Sequence, residues 1–270
     1  MTDTHFFDSL ETRTTAQRES EQFELLVGQL RHAKAKAPQY SELLAGIDPE
    51  VVTDQSALAQ LPVTRKSELS QSQLRNPPFG GYAATEDSDL LRVFASPGPV
   101  FEPQGRREDF WRFARALHAA GFRRGDLIHN TFSYHFTPAG FMVDSGAHAL
   151  GCTVFAAGTG QTELQVQAIA VLRPRGYIGT PSFLKIILDK AAESGLELSS
   201  LAVGAVSGEA LPNSLRDEIS AAGIEVLQAY ATADVGLIAY ESPTRDGMIL
   251  DEHVIVEIVE PGTGNLVPEG

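Results

Sequence analysis

Residues 152–182 read CTVFAAGTGQTELQVQAIAVLRPRGYIGTPS, and this stretch decides the fold. The apolar run at 152–157 predicts a strand, the apolar spacing at 162–172 predicts a helix, and the run at 175–179 predicts a second strand. Gly-rich and Pro-containing connections separate the three segments. A strand–helix–strand unit predicts parallel pairing, because the helix carries the chain back to the end of the sheet where the first strand began.

The same alternation continues on both sides of this unit. It predicts a doubly wound, mostly parallel sheet with helices on both faces, which places the chain in the α/β class. The remaining predicted strands are 90–95, 126–130, 201–206 and 224–229, and the remaining predicted helices are 106–120, 137–149, 181–194 and 212–222.

The N-terminal part has helical patterns without this alternation. Residues 16–37 carry apolar side chains at helical spacing, and a short helix is predicted at 54–60. Thr64 is expected to cap the next helix, because a threonine hydroxyl accepts well from the free N–H groups of a helix start. We therefore predict a helical and loop segment over 1–89, followed by an α/β core over 90–236.

The C-terminal part changes to strands alone. Strands are predicted at 237–241, 248–250 and 254–260, so residues 237–270 are expected to begin an antiparallel β subdomain. The turn-rich residues 260–270 predict a hairpin with nothing after it, as expected of a chain cut from, or continued in, a longer protein.

Composition argues against several classes of protein. Lys and Arg number 21 against 35 Asp and Glu, and the net charge of −14 disfavours nucleic-acid binding because it repels phosphate. The single cysteine, Cys152, excludes an intrachain disulfide framework and a Cys-rich zinc site. No apolar run resembles a signal peptide or a membrane span. We expect a cytoplasmic protein that does not bind a membrane.

Ligands of open parallel sheets bind where the carboxyl ends of the strands meet. Here the segments that follow the predicted strands are rich in small and hydroxyl residues, which predicts a pocket suited to a nucleotide and a small acid. These segments are Ser96–Gly98, Thr131–His135, Gly158–Gly160, Gly179–Ser182, Ser207–Glu209 and Tyr230–Asp234.

Taken together, these loops resemble those of the phenylacetate–CoA ligase family, within the AMP-forming adenylating enzymes. The resemblance extends over nearly the whole chain. Five motifs carry it in order: Leu61-Pro62-Val63-Thr64-Arg65-Lys66, Gly158-Thr159-Gly160-Gln161-Thr162-Glu163, Ile178-Gly179-Thr180-Pro181-Ser182-Phe183, Ser207-Gly208-Glu209-Ala210 and Tyr230-Ala231-Thr232-Ala233-Asp234-Val235-Gly236.

The resemblance implies the large N-terminal domain of an adenylating enzyme that uses ATP, Mg²⁺, coenzyme A and a carboxylic acid. Such enzymes form an acyl-adenylate and then transfer the acyl group to coenzyme A. Asp234 would be the catalytic residue, as the Mg²⁺ ligand, and the aromatic residues would suit an aryl acid. A homodimer stays an open alternative. The implied nucleotide-binding residues are Ser96, Gly98, Ser207, Gly208, Glu209, Tyr230 and Ala231, and the implied substrate-binding residues are Tyr134, His135, Phe136, Phe141, Gly158 and Thr180.

Four of these residues have simpler interpretations that stay open. Asp234 has the pattern of a turn carboxylate, and Tyr230 that of a packing residue at a strand end. His135 lies between aromatic residues, as a core histidine does. Thr180 before Pro181 is typical of a helix start.

The phosphate loop departs from the family pattern Ser-Ser-Gly-Thr-Thr-Gly-Lys-Pro. Pro97 and Pro99 lack N–H donors, and Glu102 is expected to repel a triphosphate. The main hypothesis is an AMP-forming acid–CoA ligase. The alternatives are a non-catalytic or ATP-independent homologue that binds the acyl group or adenylate, and a transferase that uses a preformed activated acyl group. The simplest interpretation of the loop from Ser96 to Pro103, which also stays open, is a rigid connection that binds nothing.

Overall fold

The computed structural model describes residues 6–96, 98, 100–263 and 265–267. The chain divides into two compact units. The first consists of Met1–Phe7, Phe94–Ser96 and Arg106–Asp251, and the second of Asp8–Val93, Pro97–Gly105 and Glu252–Gly270. The division into 1–89, 90–236 and 237–270 stays a prediction.

The helices and strands follow one another along the chain as the alternating pattern predicts over most of its length. The α-helices are α1 (Thr15–Lys36), α2 (Pro38–Leu43), α3 (Gln55–Leu58), α4 (Lys66–Arg75), α5 (Ala114–Ala119), α6 (Ala139–Ala149), α7 (Thr162–Leu172), α8 (Pro181–Glu193) and α9 (Asn213–Ala221). The strands are β1 (Arg92–Ser96), β2 (Val100–Gln104), β3 (Leu127–Asn130), β4 (Thr153–Ala156), β5 (Gly176–Gly179), β6 (Val203–Val206), β7 (Glu225–Thr232), β8 (Gly236–Glu241) and β9 (Met248–Leu250).

The main sheet of the first unit has the order β4-β3-β5-β6-β7-β8-β9. The neighbouring strands β4, β3, β5, β6 and β7 are parallel. Ile128 of β3 lies opposite Val154 of β4 on one side and Gly176 of β5 on the other. β8 and β9 add to the β7 edge in antiparallel orientation. The predicted α/β class with a mostly parallel sheet is confirmed.

The strand order reverses between β3 and β5, because β4 lies on one side of β3 and all later strands lie on the other. Such a switch point opens a crevice at the carboxyl ends of the two strands. Side chains that alternate along β5 fill cores on both faces of the sheet: Ile178 packs in one apolar cluster with Leu117 and Ile128, and Tyr177 packs in the other with Ile187. The sheet is thus covered on both faces, and its strand ends are left for a site.

The helix predicted at 106–120 is wrong in its first half, since α5 begins only at Ala114. Asp109 and Arg112 have φ values of 42° and 62°, which no α-helix accommodates. The Asp109 carboxylate accepts from the N–H groups of Phe113 (2.8 Å) and Ala114 (3.0 Å), and so satisfies donors at the late helix start.

Two smaller predictions in the second unit are also wrong. α4 has Arg65 rather than Thr64 at its N-cap position, with no side-chain cap. Residues 254–260 form no strand, and Val259 makes only an isolated bridge with Leu266. The Gln22 amide nitrogen donates to the carbonyl oxygens of Glu252 (3.2 Å) and Val254 (3.3 Å) at the start of this segment. At its end, Glu260 N donates to Asn265 O at 2.8 Å and Val267 N to Ile258 O at 2.9 Å, so the backbone pairing is limited to a short hairpin.

Candidate functional site

The ends of β3 and β5 are joined at the switch point by a chain of hydroxyl groups. The Thr131 hydroxyl donates to the Tyr177 hydroxyl oxygen at 2.9 Å, and the Tyr177 hydroxyl donates to the Thr180 carbonyl oxygen at 3.0 Å. Burial raises the pKa of Tyr177, so this hydroxyl stays protonated and remains a donor near neutral pH. The two strand ends therefore form a fixed floor for the crevice.

Thr180 lies at the start of α8, next to the loop that follows β6. Its hydroxyl oxygen accepts from Phe183 N at 3.3 Å, which confirms the predicted helix cap. The Glu209 carboxylate accepts from Ser182 N at 2.8 Å, where the partial positive charge of the helix start favours an anion. Gly208 has a φ of +85°, and a Cβ atom there would lie 3.6 Å from Thr180 Cγ2. Thr180, Gly208 and Glu209 are thus brought together.

Ser207 continues this loop from the end of β6. Its N–H donates to the Gly179 carbonyl oxygen at 3.1 Å, which extends the parallel pairing of β6 with β5 by one residue. Ser207 is half-buried, whereas Gly208 and Glu209 are exposed. The Ser207–Glu209 loop is therefore fixed at both ends and open to solvent between them.

A second group gathers at the ends of β3 and β4. The Tyr134 and Phe141 rings meet edge to face with centroids 5.2 Å apart, and a Cβ atom on Gly158 would lie 3.9 Å from the Tyr134 ring. The Tyr134 hydroxyl donates to Asp144 at 2.7 Å and accepts from the Asn130 amide at 2.8 Å. Burial, and then the Asp144 carboxylate, raise the pKa of Tyr134. Tyr134, Phe141 and Gly158 are thus brought together around a neutral phenol.

His135 and Phe136 lie outside that group. Phe136 is 81% exposed, and its backbone oxygen accepts from Ala95 N at 2.9 Å. His135 is exposed, so its interpretation as a core histidine is wrong. The role of both residues in acyl binding stays a prediction.

The predicted phosphate loop begins at Ser96, the buried last residue of β1. Gly98 is exposed with a φ of +123°, a conformation that favours glycine. Pro97 and Pro99 lie outside the described residues.

Glu102 does not have the environment that the sequence suggested. It is only 8% exposed, and its carboxylate pairs with Lys66 at an N–O distance of 3.1 Å. Alternation along β2 explains this placement, because Val100, Glu102 and Gln104 share the buried face of the strand. Lys66 offsets the charge of Glu102, and the repulsion of a triphosphate by this carboxylate stays a prediction.

Tyr230, Ala231 and Asp234 lie along β7 and in its turn to β8. Tyr230 is 55% exposed, and the β7–β8 pairing is irregular between Tyr230 and Ala231. Asp234 is exposed within the three-residue turn that ends at Val235. The turn-carboxylate interpretation of Asp234 fits this position, and a metal-binding role requires the same exposure.

Two residues that the sequence did not single out hold this turn. Trp111 Nε1 donates to the Ala233 carbonyl oxygen at 3.1 Å, and Trp111 O accepts from Leu237 N at 2.9 Å. Arg112 donates from Nη2 to the carbonyl oxygens of Val235 (2.6 Å) and Leu237 (3.1 Å). A Cβ atom on Gly236 would lie 2.7 Å from Trp111 O, so glycine is needed at this close approach. No local sequence pattern indicates these long-range bonds.

A family model described as AMP-binding enzyme matches residues 131–270, more than half of the chain. The chain belongs to the AMP-binding enzyme family. The matched segment contains every candidate residue described above from Tyr134 to Asp234 and excludes the loop at Ser96. The family resemblance seen in the sequence is thereby confirmed.

Curated relatives of this chain include two named phenylacetate-coenzyme A ligases. The protein from Aromatoleum evansii is 31% identical over 265 residues, which cover 92% of this chain and 59% of that protein. The protein from Pseudomonas putida is 31% identical over 284 residues, which cover 99% of this chain and 64% of that protein. The chain therefore spans about 60% of the length of these relatives.

A solved structure supports the fold. An open conformation of 2-hydroxyisobutyryl-CoA ligase, in complex with 2-HIB-AMP and CoA, superimposes with a TM-score of 0.90 at 25% sequence identity. The match covers 100% of this chain and 62% of that chain. The fold of this chain is therefore that of the matched part of this CoA ligase.

The described residues offer at most part of a magnesium site, to be completed by ligands from outside the chain. Within the part of the chain that the structure describes, no group of three or more His, Cys, Asp or Glu side chains could hold a metal ion by itself. Mg²⁺ usually takes one or two carboxylates and completes its octahedron with phosphates and water. The exposed Asp234 carboxylate can supply one such oxygen ligand.

Hydropathy adds one limit. None of the helices in the described ranges is both long and apolar enough to cross a membrane.

Proposed function

We propose that the protein acts as an AMP-forming acid–CoA ligase that activates an aryl or other carboxylic acid. One observation carries the proposal. Two groups of residues come together at the carboxyl ends of the strands: Tyr134 with Phe141 and Gly158, and Thr180 with Gly208 and Glu209. The chain that carries them belongs to the AMP-binding enzyme family. The names of the curated relatives support an acid–CoA ligase in particular.

The proposed reaction has two steps. A substrate carboxylate oxygen attacks the α-phosphorus of ATP, a new P–O bond forms, and the bond to the β-phosphate oxygen breaks to release pyrophosphate. The thiol of coenzyme A then loses its proton to solvent and attacks the acyl carbon, and the bond between that carbon and the phosphate oxygen of AMP breaks to release AMP. Positioning and charge stabilisation do most of the catalytic work in such chemistry.

Each group of residues then has a distinct task. Tyr230 and Ala231, with the Ser207–Glu209 loop, bind the nucleotide base. Ser96 and Gly98 contact the phosphates. Asp234 would hold a Mg²⁺ ion, which when bound would supply positive charge near the phosphate oxygens.

The acid enters the other part of the crevice. Tyr134, Phe141, Gly158 and Thr180 line the acyl pocket, and His135 and Phe136 lie at its mouth. The neutral Tyr134 phenol offers an aromatic face without introducing a charge, which suits an aryl substrate. Reaction in the cytoplasm, where ATP and coenzyme A are available, completes the proposal; the homodimer stays a prediction.

ATP–pyrophosphate exchange by the full-length protein tests this function. We expect exchange that depends on a carboxylate, with phenylacetate compared with 2-hydroxyisobutyrate and acetate. An absence of exchange with all three acids would contradict the ligase. Tight binding of a non-hydrolysable acyl-adenylate mimic in that case would point to the ATP-independent binding homologue.

A further inference from the structure

A histidine lies completely buried beneath the glycine loop that follows β4. His129 belongs to β3, and its Nε2 atom lies 2.8 Å from Gln165 Oε1 on α7. Its ring stacks on Phe155 of β4, with centroids 5.4 Å apart and planes 27° from parallel. A polar side chain in such a place is costly unless it is hydrogen-bonded, and the proposed reaction steps do not use this one.

Gln165 connects the histidine to the loop. Its amide nitrogen donates to the carbonyl oxygens of Gly158 at 2.8 Å and Gly160 at 2.7 Å. Because both N–H bonds are taken by the loop, Oε1 faces His129, and His129 Nε2 must carry the hydrogen that it accepts. His129 thereby determines which way the Gln165 amide faces.

The protonation of His129 agrees with this arrangement. Nδ1 has no hydrogen-bond partner among the described residues, so a second ring proton would be buried without an acceptor. Burial lowers the pKa of His129 and favours the neutral ring. The hydrogen bond to Gln165 therefore persists near neutral pH.

The loop that follows β4 needs the hydrogen bonds from Gln165 because its backbone adopts left-handed conformations. Gly158 and Gly160 have φ values of +70° and +73°, and Gln161 has a φ of 53°, which is costly for a residue with a side chain. From the side of the strand, the Asn130 carbonyl oxygen accepts from Gly158 N at 3.1 Å. From the side of α7, the Gln165 amide nitrogen donates to the two glycine carbonyl oxygens of the loop.

We propose that His129 is a positioning residue for the acyl pocket, which acts through Gln165 to hold Gly158 against Tyr134. The proposal rests on the proposed function, because that function assigns Gly158 and Tyr134 to the wall of the acyl pocket. A loop released from Gln165 would alter the width of the pocket beside the Tyr134 ring. The effect falls on binding of the acid and leaves binding of ATP unchanged.

Three variants of the full-length protein separate positioning from general stability. His129→Phe keeps a ring beside Phe155 and removes the donor to Gln165. His129→Gln restores an amide N–H near the position of Nε2. Ile169→Val is the matched control, because Ile169 is fully buried one turn after Gln165 on α7 and has no polar contact to lose.

Hydrogen–deuterium exchange measures the loop independently of catalysis. We expect the amides of residues 158–161 to exchange about tenfold faster in His129→Phe, and to stay within about threefold of the wild type in the other two variants. Unchanged hydrogen exchange of these amides in His129→Phe, or equally fast hydrogen exchange in Ile169→Val, would overturn the proposal.

The KM for phenylacetate in the exchange assay measures the consequence for binding. We expect His129→Phe to raise it about tenfold, with the KM for ATP unchanged and with recovery in His129→Gln. Faster hydrogen exchange without a change in this KM would show a purely structural role and overturn the positioning role.

Gln165→Glu provides an independent variant, because it keeps the shape of the side chain and removes both donors to the loop. We expect it to act in the same direction as His129→Phe, and the double variant to be no worse than the stronger single one, since the two residues act as one unit. Additive losses would contradict the coupling. If the wild-type protein shows no activity with any acid, the proposed function fails, and calorimetric binding of phenylacetate with hydrogen exchange still decides the role of His129.

Discussion

Trp111 Nε1 and the carbonyl oxygen of Ala233 are joined by a hydrogen bond of 3.1 Å across 122 positions of sequence. The bond links the segment before α5 to the turn that carries Asp234. Arg112, the next residue, donates to two further carbonyl oxygens around the same turn. The candidate metal ligand is thus held by residues that lie far from it along the chain.

Trp111→Phe should weaken this link. The variant keeps an aromatic ring in the core, removes the Nε1 donor and leaves space where the larger indole ring lay, so we expect a loss of about 2 kcal/mol in unfolding free energy. A less well placed Asp234 should lower the single-turnover rate of adenylation about tenfold. Phe110→Leu is the control, because Phe110 packs edge-on against Trp111 and its side chain carries no hydrogen-bond donor. An equal rate loss in both variants would exclude positioning through Nε1.

Asp234→Asn tests the proposed metal ligand. The residue is exposed, so the variant should fold normally. Loss of the carboxylate should lower the rate of ATP–pyrophosphate exchange about 100-fold and raise the Mg²⁺ concentration needed for half-maximal rate. Asp234→Glu keeps the charge and is expected to stay within about tenfold of the wild type. An unchanged Mg²⁺ requirement in Asp234→Asn would leave the turn-carboxylate interpretation in place.

Glu102→Gln distinguishes a paired from a repulsive carboxylate. Since Lys66 already pairs with Glu102 at 3.1 Å, we expect the KM for ATP to change less than about threefold, and stability to fall by about 1 kcal/mol at most. Lys66→Met is the companion variant, because it leaves the buried carboxylate without this cation. A marked fall in the KM for ATP in Glu102→Gln would show that the carboxylate opposes phosphate binding.

The sequence predicts the parallel sheet well because its strands are apolar and its connections contain Gly and Pro. It fails at β2, where Glu102 and Gln104 occupy the buried face and hide the usual alternation. It fails again at α5, since the positive φ values of Asp109 and Arg112 delay a helix that apolar spacing places earlier. Local patterns contain no information about such non-local or backbone-specific effects.

The candidate site divides in the same way. Strand-end loops follow from the topology, so the positions of Gly158, Thr180 and Gly208 could be predicted as one edge of the sheet. The partners that hold those loops could not. Trp111 and His129 act through single hydrogen bonds to residues 122 and 36 positions away, and neither belongs to a recognisable motif.

Alkaline pH should destabilise the protein partly through Tyr134. Burial, and then the Asp144 carboxylate, raise the pKa of Tyr134 in the folded state above its ordinary value. At pH values between the pKa of the unfolded state and that of the folded state, the unfolded chain has lost a proton that the folded protein keeps. This contribution to stability is fully present below about pH 10 and is lost as the pH rises further. Above the ordinary tyrosine pKa, the unfolding free energy of the wild type should fall as the pH rises. In Tyr134→Phe the slope of this fall should be smaller by up to about 1.4 kcal/mol per pH unit.

Urea denaturation at several pH values on both sides of the ordinary tyrosine pKa measures this slope. Phe141→Leu is the matched control, because it loosens the same ring contact and removes no titrating group. It should lower the whole curve of unfolding free energy against pH without changing its slope. Tyr177→Phe should flatten the curve as Tyr134→Phe does, since burial also raises the pKa of Tyr177. An unchanged slope in Tyr134→Phe would mean that the folded protein lets this phenol ionise as readily as the unfolded chain does, and would contradict the buried position of the Tyr134 hydroxyl beside the Asp144 carboxylate.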